Sequence, residues 1–371
     1  MIVGAGPAGS SLAVWLAQKG IEATLIDRFH FPRAKPCAGC FSPRCAPYLE
    51  RLGLRHAVAS GQRIRRIAVQ SPRLSVQIDA SRNPYGDFLY VLPREHFDVL
   101  MIEKAKASSV KILTGTPVGS LIQDGTRVCG VRAGDDEIRA RLTVIATGSD
   151  MRFLPGEFRR TAKTYHTLIA RYEGCLDGDP STTDSYTAPW LHGTGWVFPE
   201  SRTRVNVGIM VHEDSLRRSG RSLAQHFMHY LETGYVQRRL KGARRVGDIR
   251  GSPIRYSYRP RGIFGEGFLM VGEASLLTHP MTGEGISHAL RSSAMASEVI
   301  AAAVEAKDWS AEFLSAYSMR VERAYRRNFF KARLLRHMLD RGSLFEGALA
   351  FAHFHPWAVS VVEKKLHRIV F

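Results

Sequence analysis

The first nine residues, Met1-Ile2-Val3-Gly4-Ala5-Gly6-Pro7-Ala8-Gly9, constrain the fold more than any other stretch of the chain. Gly4, Gly6 and Gly9 have G-x-G-x-x-G spacing. Ile2-Val3 reads as the end of a buried strand, and Ser10 to Lys19 reads as a helix. Glycine permits the tight turn between them and lets the backbone approach a pyrophosphate closely. The helix N-terminus adds free N–H groups and about half a positive charge. A second strand, Glu22 to Ile26, ends at Asp27, where a carboxylate can accept hydrogen bonds from an adenosine ribose. The plainer alternative is a glycine turn that holds no nucleotide. Strand, glycine turn, helix, strand and acid in this order meet the context the fingerprint requires, so an α/β fold with a parallel sheet is expected.

With 371 residues, 44% of them hydrophobic, the chain can bury two domains or one large composite one. Five cysteines in a long chain read as free thiols in a reducing compartment. The apolar start belongs to the first strand and lacks a basic leader region, so a cytoplasmic location is expected. Net charge is +18, which calls for an acidic partner: an anionic membrane surface, a pyrophosphate-bearing substrate or an acidic carrier protein. A basic surface without a specific partner is the alternative. No zinc-finger or other nucleic-acid module is present, and no nucleic-acid partner is expected.

Further along, Ile64 to Gln70, Leu74 to Asp79 and Phe88 to Leu92 read as strands, and Pro93 opens a helix. A strand at Lys111 to Thr114 precedes a three-stranded meander of Val118 to Gln123, Arg127 to Arg132 and Glu137 to Ile145, turned at Asp124-Gly125 and Gly134-Asp135. Residues 162 to 212 are strand-rich, and 221 to 233 read as a helix. Gly267 to Val271 is a strand, and the chain from Gly285 onward is mostly helical. If Phe268 to Val271 returns to the first sheet, the nucleotide domain is discontinuous.

Several motifs together resemble the flavoprotein group of geranylgeranyl reductases and single-component aromatic hydroxylases. Gly4 to Gly9 with Asp27 is similar to an FAD fingerprint. Arg94-Glu95-His96-Phe97-Asp98-Val99-Leu100 resembles an R-x-x-F-D-x-x-L helix start. Gly272-Glu273-Ala274 through His279-Pro280-Met281-Thr282-Gly283-Glu284-Gly285-Ile286 resembles the second FAD motif, with Glu273 where the family has Asp. Gly195-Trp196-Val197-Phe198-Pro199 followed by Gly208, and Lys35-Pro36-Cys37-Ala38-Gly39, resemble the geranylgeranyl reductase branch. The hydroxylases' middle D-G motif reads Ala146-Thr147-Gly148 here, and the branch's Tyr before the Trp is Thr194.

The resemblance implies a Rossmann-like FAD-binding domain with a three-stranded β-meander, an inserted β-sheet substrate domain and a helical C-terminus. The implied division is 1–61, 93–160 and 259–335 for FAD, 62–92 and 161–258 for substrate, and 336–371 for a helical tail. Implied flavin contacts at the first motif are Gly4, Gly6, Pro7, Ala8, Gly9 and Asp27, with Arg28, Cys37 and Arg94 nearby. At the second motif they are Gly272, Glu273, Pro280, Gly283, Glu284, Gly285 and Ile286.

Backbone N–H groups between Pro280 and Gly285, ahead of a long helix, can face the negative charge that a reduced flavin carries, an interaction worth roughly 0.3–2 kcal/mol. Trp196 and Phe198 share one side of a strand by period-two spacing. They, with Pro199, are expected to wall the substrate pocket, sheet-core packing being the plainer alternative. Cys37 and Cys40 form a C-x-x-C, but no second ligand pair follows, so no metal is expected. The resemblance suggests Cys37 in a loop over the active site, as a proton donor or an inert thiol. His279 is a second candidate donor, or a loop histidine without a role. No second glycine fingerprint follows a strand, so NAD(P)H binding transiently, or an external electron carrier, is the expected reductant. The tail from Leu344 to Val362 is apolar but interrupted, and Glu363 to Arg368 is a basic end. An amphipathic helix on an anionic membrane and a helix packed on its own domain both fit.

The leading expectation is hydride transfer from flavin to a C=C bond of a hydrophobic, polyprenyl-like substrate. The alternative is a flavin-dependent monooxygenase or halogenase acting on an aromatic or carrier-bound substrate. A halogenase needs a lysine near the substrate, and none is placed there from the sequence. A third reading is a flavin- or lipid-binding protein without turnover.

Overall fold

The computed structural model describes residues 1–80, 88–108, 110–175, 177–191, 193–258, 260–339, 342–355 and 357–361. The basic end at 363–368 lies outside them.

A six-stranded sheet runs Phe264–Gly265, Phe268–Met270, Thr143–Ile145, Ile2–Val3, Thr24–Ile26, Lys111–Leu113. All its pairings are parallel except that of the first two strands. Ile2, Leu25, Ile26, Val144, Ile145, Leu269 and Met270 are buried, as parallel strands covered on both faces must be. On one face lie helices α1 (Pro7–Gln18), α2 (Arg94–Ala107) and α3 (Ile286–Ala306). On the other, Val118, Val131 and Ala133 of the meander pack against Val3 and Ile26.

Three boundaries differ from expectation. α1 begins at Pro7 rather than Ser10, because proline at the first helical position lacks only an N–H that would go unused there. The stretch 137–145 is not one strand. Asp136–Arg139 closes the meander, and Thr143–Ile145 crosses into the parallel sheet beside Ile2–Val3. The stretch 64–70 likewise divides. Gln62–Arg63 pairs with Tyr90–Val91, and Arg66–Gln70 joins the second large sheet. The switch shows in successive amides: Ile64 N–H donates to Leu89 O at 2.8 Å, and Arg65 N–H donates to Ser181 O at 2.7 Å.

That second sheet has seven strands, in the order Arg244–Tyr256, Lys163–Glu173, Arg204–His212, Gly193–Pro199, Thr182–Tyr186, Arg66–Gln70, Ser75–Asp79. Its strands alternate between faces. Val197, Val205, Val207, Ile209 and Val211 bury one face under Phe227 and Tyr230, from the helix Leu223–Leu231. That helix starts with a full capping box between Ser222 and Gln225. The opposite face looks toward the first sheet. Helices α4 (Ala311–Leu339) and α5 (Gly342–Phe354) follow, α4 against α3 and α5 against the strand Ser75–Asp79. Among the described residues no helix is long and apolar enough to cross a membrane.

Candidate functional site

One cavity of about 1190 Å³ lies between the C-terminal ends of the parallel strands and the open face of the seven-stranded sheet. Such strand ends are where α/β sheets bind ligands.

Its first wall is the glycine cradle. Gly4 has φ +104°, and a Cβ there would lie 2.5 Å from Ala146 O. A Cβ on Gly9 would lie 1.8 Å from Gly4 O, so helix and strand approach too closely for any side chain. Gly6, Pro7 and Ala8 face the cavity, while Gly9 packs behind them. The N-terminus of α1 has no side-chain cap and no acid in its first turn, so its N–H groups are left for an anion. Arg33 also lines this wall, its terminal nitrogen 3.5 Å from where a Gly6 Cβ would lie, and its buried Nε lacks a hydrogen-bond partner among the described residues. Free helix N–H groups and a guanidinium with its Nε unpartnered fit a dinucleotide pyrophosphate.

Asp27 lines the cavity, but its carboxylate also braces the cradle. Oδ2 accepts from Ala5 N–H at 2.7 Å and Oδ1 from Phe29 N–H at 2.9 Å. Arg28, also on the wall, pairs with Asp150 at 3.6 Å. Arg94 lines the cavity with its guanidinium held in two 2.9 Å bonds by Asp98, one turn along α2. Asp98 also takes Arg33 at 3.1 Å, so the R-x-x-F-D motif builds a buried triad beside the cradle. Burial would lower the Arg94 pKa, but the Asp98 carboxylate and the neighbouring Cys37 thiol hold it above its ordinary value.

The second motif forms the facing wall. Gly272, at φ +65°, stays off the cavity; a Cβ there would meet the Ala8 Cβ at 2.8 Å. Glu273 lines the cavity and accepts from Arg255 N–H at 2.8 Å. Burial pushes its carboxyl up, against the pull of Lys35, Arg255 and Arg94. The loop to α3 is cinched by His279 N–H to Glu284 O and Gly283 N–H to His279 O. Gly283, Glu284, Gly285 and Ile286 line the cavity. Gly283 lies flat against the second sheet, where a Cβ would come within 2.7 Å of the Met210 sulfur. Ser42 Oγ donates to Glu284, whose carboxyl burial raises. The α3 N-terminus again has no side-chain cap and no acid in its first turn.

Pro280 and His279 lie behind this wall. Pro280 O accepts from Tyr165 Oη at 2.7 Å. His279 is fully buried, stacks on His288 at 6.0 Å and keeps Nδ1 3.1 Å from Thr282 Oγ1. It is not on the cavity, and its geometry is that of a pin for the loop.

The seven-stranded sheet is the third wall. Trp196 and Phe198 line it, whereas alternation turns Pro199 to the other face. The Trp196 ring lies over Gly208, where a Cβ would come within 2.2 Å of Cζ2. Its Nε1 donates to Asn206 Oδ1 at 2.9 Å, and Asn206 Nδ2 donates to Cys37 O at 3.1 Å. The sheet thereby holds the Cys37 loop over the cavity. Cys37 Sγ accepts from Gly39 N–H at 3.4 Å. Cys37 and Cys40 are separate free thiols, and burial raises the Cys40 thiol well above its usual range, which suits a packing role. Beyond Trp196 the chamber passes Thr183 and Ser185 and then turns apolar, with Ile67, Val69, Val76 and Ile78 on the sheet and Phe345 and Leu349 on α5.

Sequence reading missed Arg33, Lys35, Ser42 and Asn206. Lys35 lines the cavity with Nζ donating to Ser252 Oγ at 2.7 Å, its pKa lowered by burial. Asn206 did carry a signal: it is a polar residue inside the apolar run Val205-Asn206-Val207.

The cradle, the second motif and the shared chamber define a flavin-dependent oxidoreductase. Residues 1–153 match the FAD binding domain family. The chain is 29% identical to digeranylgeranylglycerophospholipid reductase 1 of Methanopyrus kandleri over 93% of this chain and 92% of that protein. It is 26% identical to menaquinone reductase of Mycobacterium tuberculosis over 83% and 78%. A geranylgeranyl bacteriochlorophyll reductase-like protein from Thermoplasma acidophilum shares the fold, with TM-score 0.82, 21% identity and 98% of each chain covered. The flavin-dependent brominase Bmp2, as a triple mutant, shares it at TM-score 0.73 and 21% identity, over 99% of this chain and 98% of that one. Over nearly its whole length the chain is thus similar to reductases of the geranylgeranyl reductase group, and its first 153 residues carry the FAD binding domain.

Proposed function

We propose that this enzyme reduces a C=C bond in a hydrophobic, polyprenyl-like substrate. One observation carries the reading: the dinucleotide cradle and an apolar chamber walled by Ile67, Val69, Val76 and Ile78 are parts of a single cavity. Bound FAD supplies the hydride chemistry. In this reading the α1 N-terminus and Arg33 bind the pyrophosphate, and Asp27 and Glu273 set the ribose and ribityl ends. Gly285 and the uncapped α3 N-terminus would offer N–H groups to the bound flavin, on a loop held by the Gly283 and Glu284 amide hydrogen bonds. Trp196 and Phe198 orient the chain of the substrate and exclude water. Cys37 Sγ would hold the proton for the carbon opposite the one that accepts the hydride, and the thiolate left behind would take a proton back from water. The reductant in this reading is NAD(P)H bound transiently or an external electron carrier. The proposed division assigns 1–61, 93–160 and 259–335 to FAD and 62–92 with 161–258 to substrate, with 336–371 as a tail. A net charge of +18 supports peripheral association with an anionic membrane.

One observation favours the alternative of a monooxygenase or halogenase: Lys35 is a half-buried lysine on the cavity wall, of the kind a halogenase needs. Anaerobic mixing separates the two. Dithionite-reduced enzyme is mixed with a polyprenyl substrate, and the oxidised-flavin absorption is followed. Return of that absorption with saturated product supports the reductase. Return only on admitting air, with substrate-dependent oxygen consumption, selects the alternative.

A further inference from the structure

Helices α4 and α5 close the apolar side of the cavity, and their outer surface is not that of an ordinary solvent-facing helix pair. α5 turns Phe345, Ala348, Leu349 and Ala352 to the chamber, a stripe with three- and four-residue spacing. It is moored to the sheet edge where Ser71 Oγ donates to Glu346 at 3.3 Å and His353 Nδ1 lies 3.1 Å from Ser75 O. Its other side is also apolar. Leu344, Phe351 and Phe354 are 49%, 51% and 70% exposed, and Trp357 just beyond is 62% exposed. On α4, exposed Met319, Phe330 and Leu334 are interleaved with exposed Arg320, Arg323, Arg326, Arg327, Lys331 and Arg333. The acid among them, Glu322, is 3.9 Å from Arg326. Packing on its own domain accounts for the inner stripe of α5 and leaves the outer one unexplained.

We infer that the outer surface of α4 and α5 docks on an anionic lipid bilayer, with α5 as the partition between bilayer and cavity. The inference rests on the reading of the chamber as the site of a hydrophobic substrate. Charge selects the occupant. A second copy meeting this face symmetrically would set the same arginines against each other. Phosphate headgroups pair with arginine and lysine, and aromatic and aliphatic side chains settle at the headgroup–acyl boundary. Lys364, Lys365 and Arg368 continue the basic character in the sequence. A helix with one face in the bilayer and the other in the chamber lets an apolar substrate pass between them without crossing water.

The test is flotation of the full-length, flavin-loaded enzyme with vesicles of phosphatidylcholine alone or mixed with phosphatidylglycerol. Binding to the mixed vesicles, reversed by salt, is expected. The pair F354S/W357S and the triple R323Q/R327Q/K331Q are each expected to lower the bound fraction about tenfold or more, with flavin content and thermal midpoint unchanged. Enzyme that stays unbound, or variants that float like the parent, would overturn the inference. So would a dimer in lipid-free sedimentation that the same variants break, which would assign the face to a second copy. Reduction of a detergent-dispersed prenyl substrate separates this inference from the functional reading. Turnover without vesicle binding defeats the docking surface alone; vesicle binding without turnover defeats the substrate assignment alone.

Discussion

Asn206 joins two parts of the site that lie far apart in sequence. Its amide takes the Trp196 indole and gives to the Cys37 carbonyl. Asn206→Leu leaves both buried groups unpaired, at a cost of about 1–3 kcal/mol in denaturant unfolding, and frees the Cys37 loop. Turnover should therefore fall further than flavin content. At Gly9 the effect is reversed in kind: Gly9→Ala forces α1 off the first strand, so purified protein should lose most of its flavin, read from absorbance per chain. Gly9 was legible from its spacing because its partner, Gly4, lies in the same motif. Asn206 could be flagged as odd, but its partners lie ten and 169 residues away. His279 shows the converse: a histidine in a glycine loop reads as chemistry, and only packing against His288 and Phe329 shows it to be interior.

Among the elements, α2 is tied to the seven-stranded sheet by Arg171, which reaches Glu95 at 2.6 Å and the buried Glu200 at 2.9 Å. Burial would raise the Glu95 carboxyl, but the hydrogen bond and charge of Arg171 hold it below its ordinary value. A depressed folded pKa means stability that is present above the unfolded value, about 4.3, and lost as pH falls through the folded one. Arg171→Gln should cost about 1–3 kcal/mol at pH 7, tempered by the partial exposure of Arg171. The gap to the parent should narrow as thermal melts are taken from pH 7 toward pH 4; a constant gap would argue against the Glu95 linkage. Element types along the chain were readable because period and turn residues are local. The breaks at 64–65 and 140–142 were not, because nothing local says which of two sheets will accept the next residue.

For the molecule as a whole, the cavity touches both large sheets, so its ligand cross-braces them. Removing the flavin should lower the thermal midpoint, and adding it back should restore it. Saturation at a hundredfold excess over Kd is worth about 2.7 kcal/mol. An unchanged midpoint on stripping would mean that the cradle is not the binding site. The motif order was enough to expect the parallel sheet. The two-sidedness of α5 was not legible, since an apolar stretch does not say which side meets a chamber and which meets solvent.

The same long-range closure governs how the molecule is made. The strand Ile2–Val3 sits inside its sheet, and Ser293 of α3 donates to Ala8 at the head of α1 across 285 residues. The cradle leaves the ribosome before α3 and meets Ser293 only after α3 has been synthesised. At about 5–20 residues per second that interval is roughly 15–60 s. The strand Ile2–Val3 gains its sheet neighbours once Thr24–Ile26 and then Thr143–Ile145 are made, but the cradle has no second wall for its cofactor until the loop ahead of α3 follows.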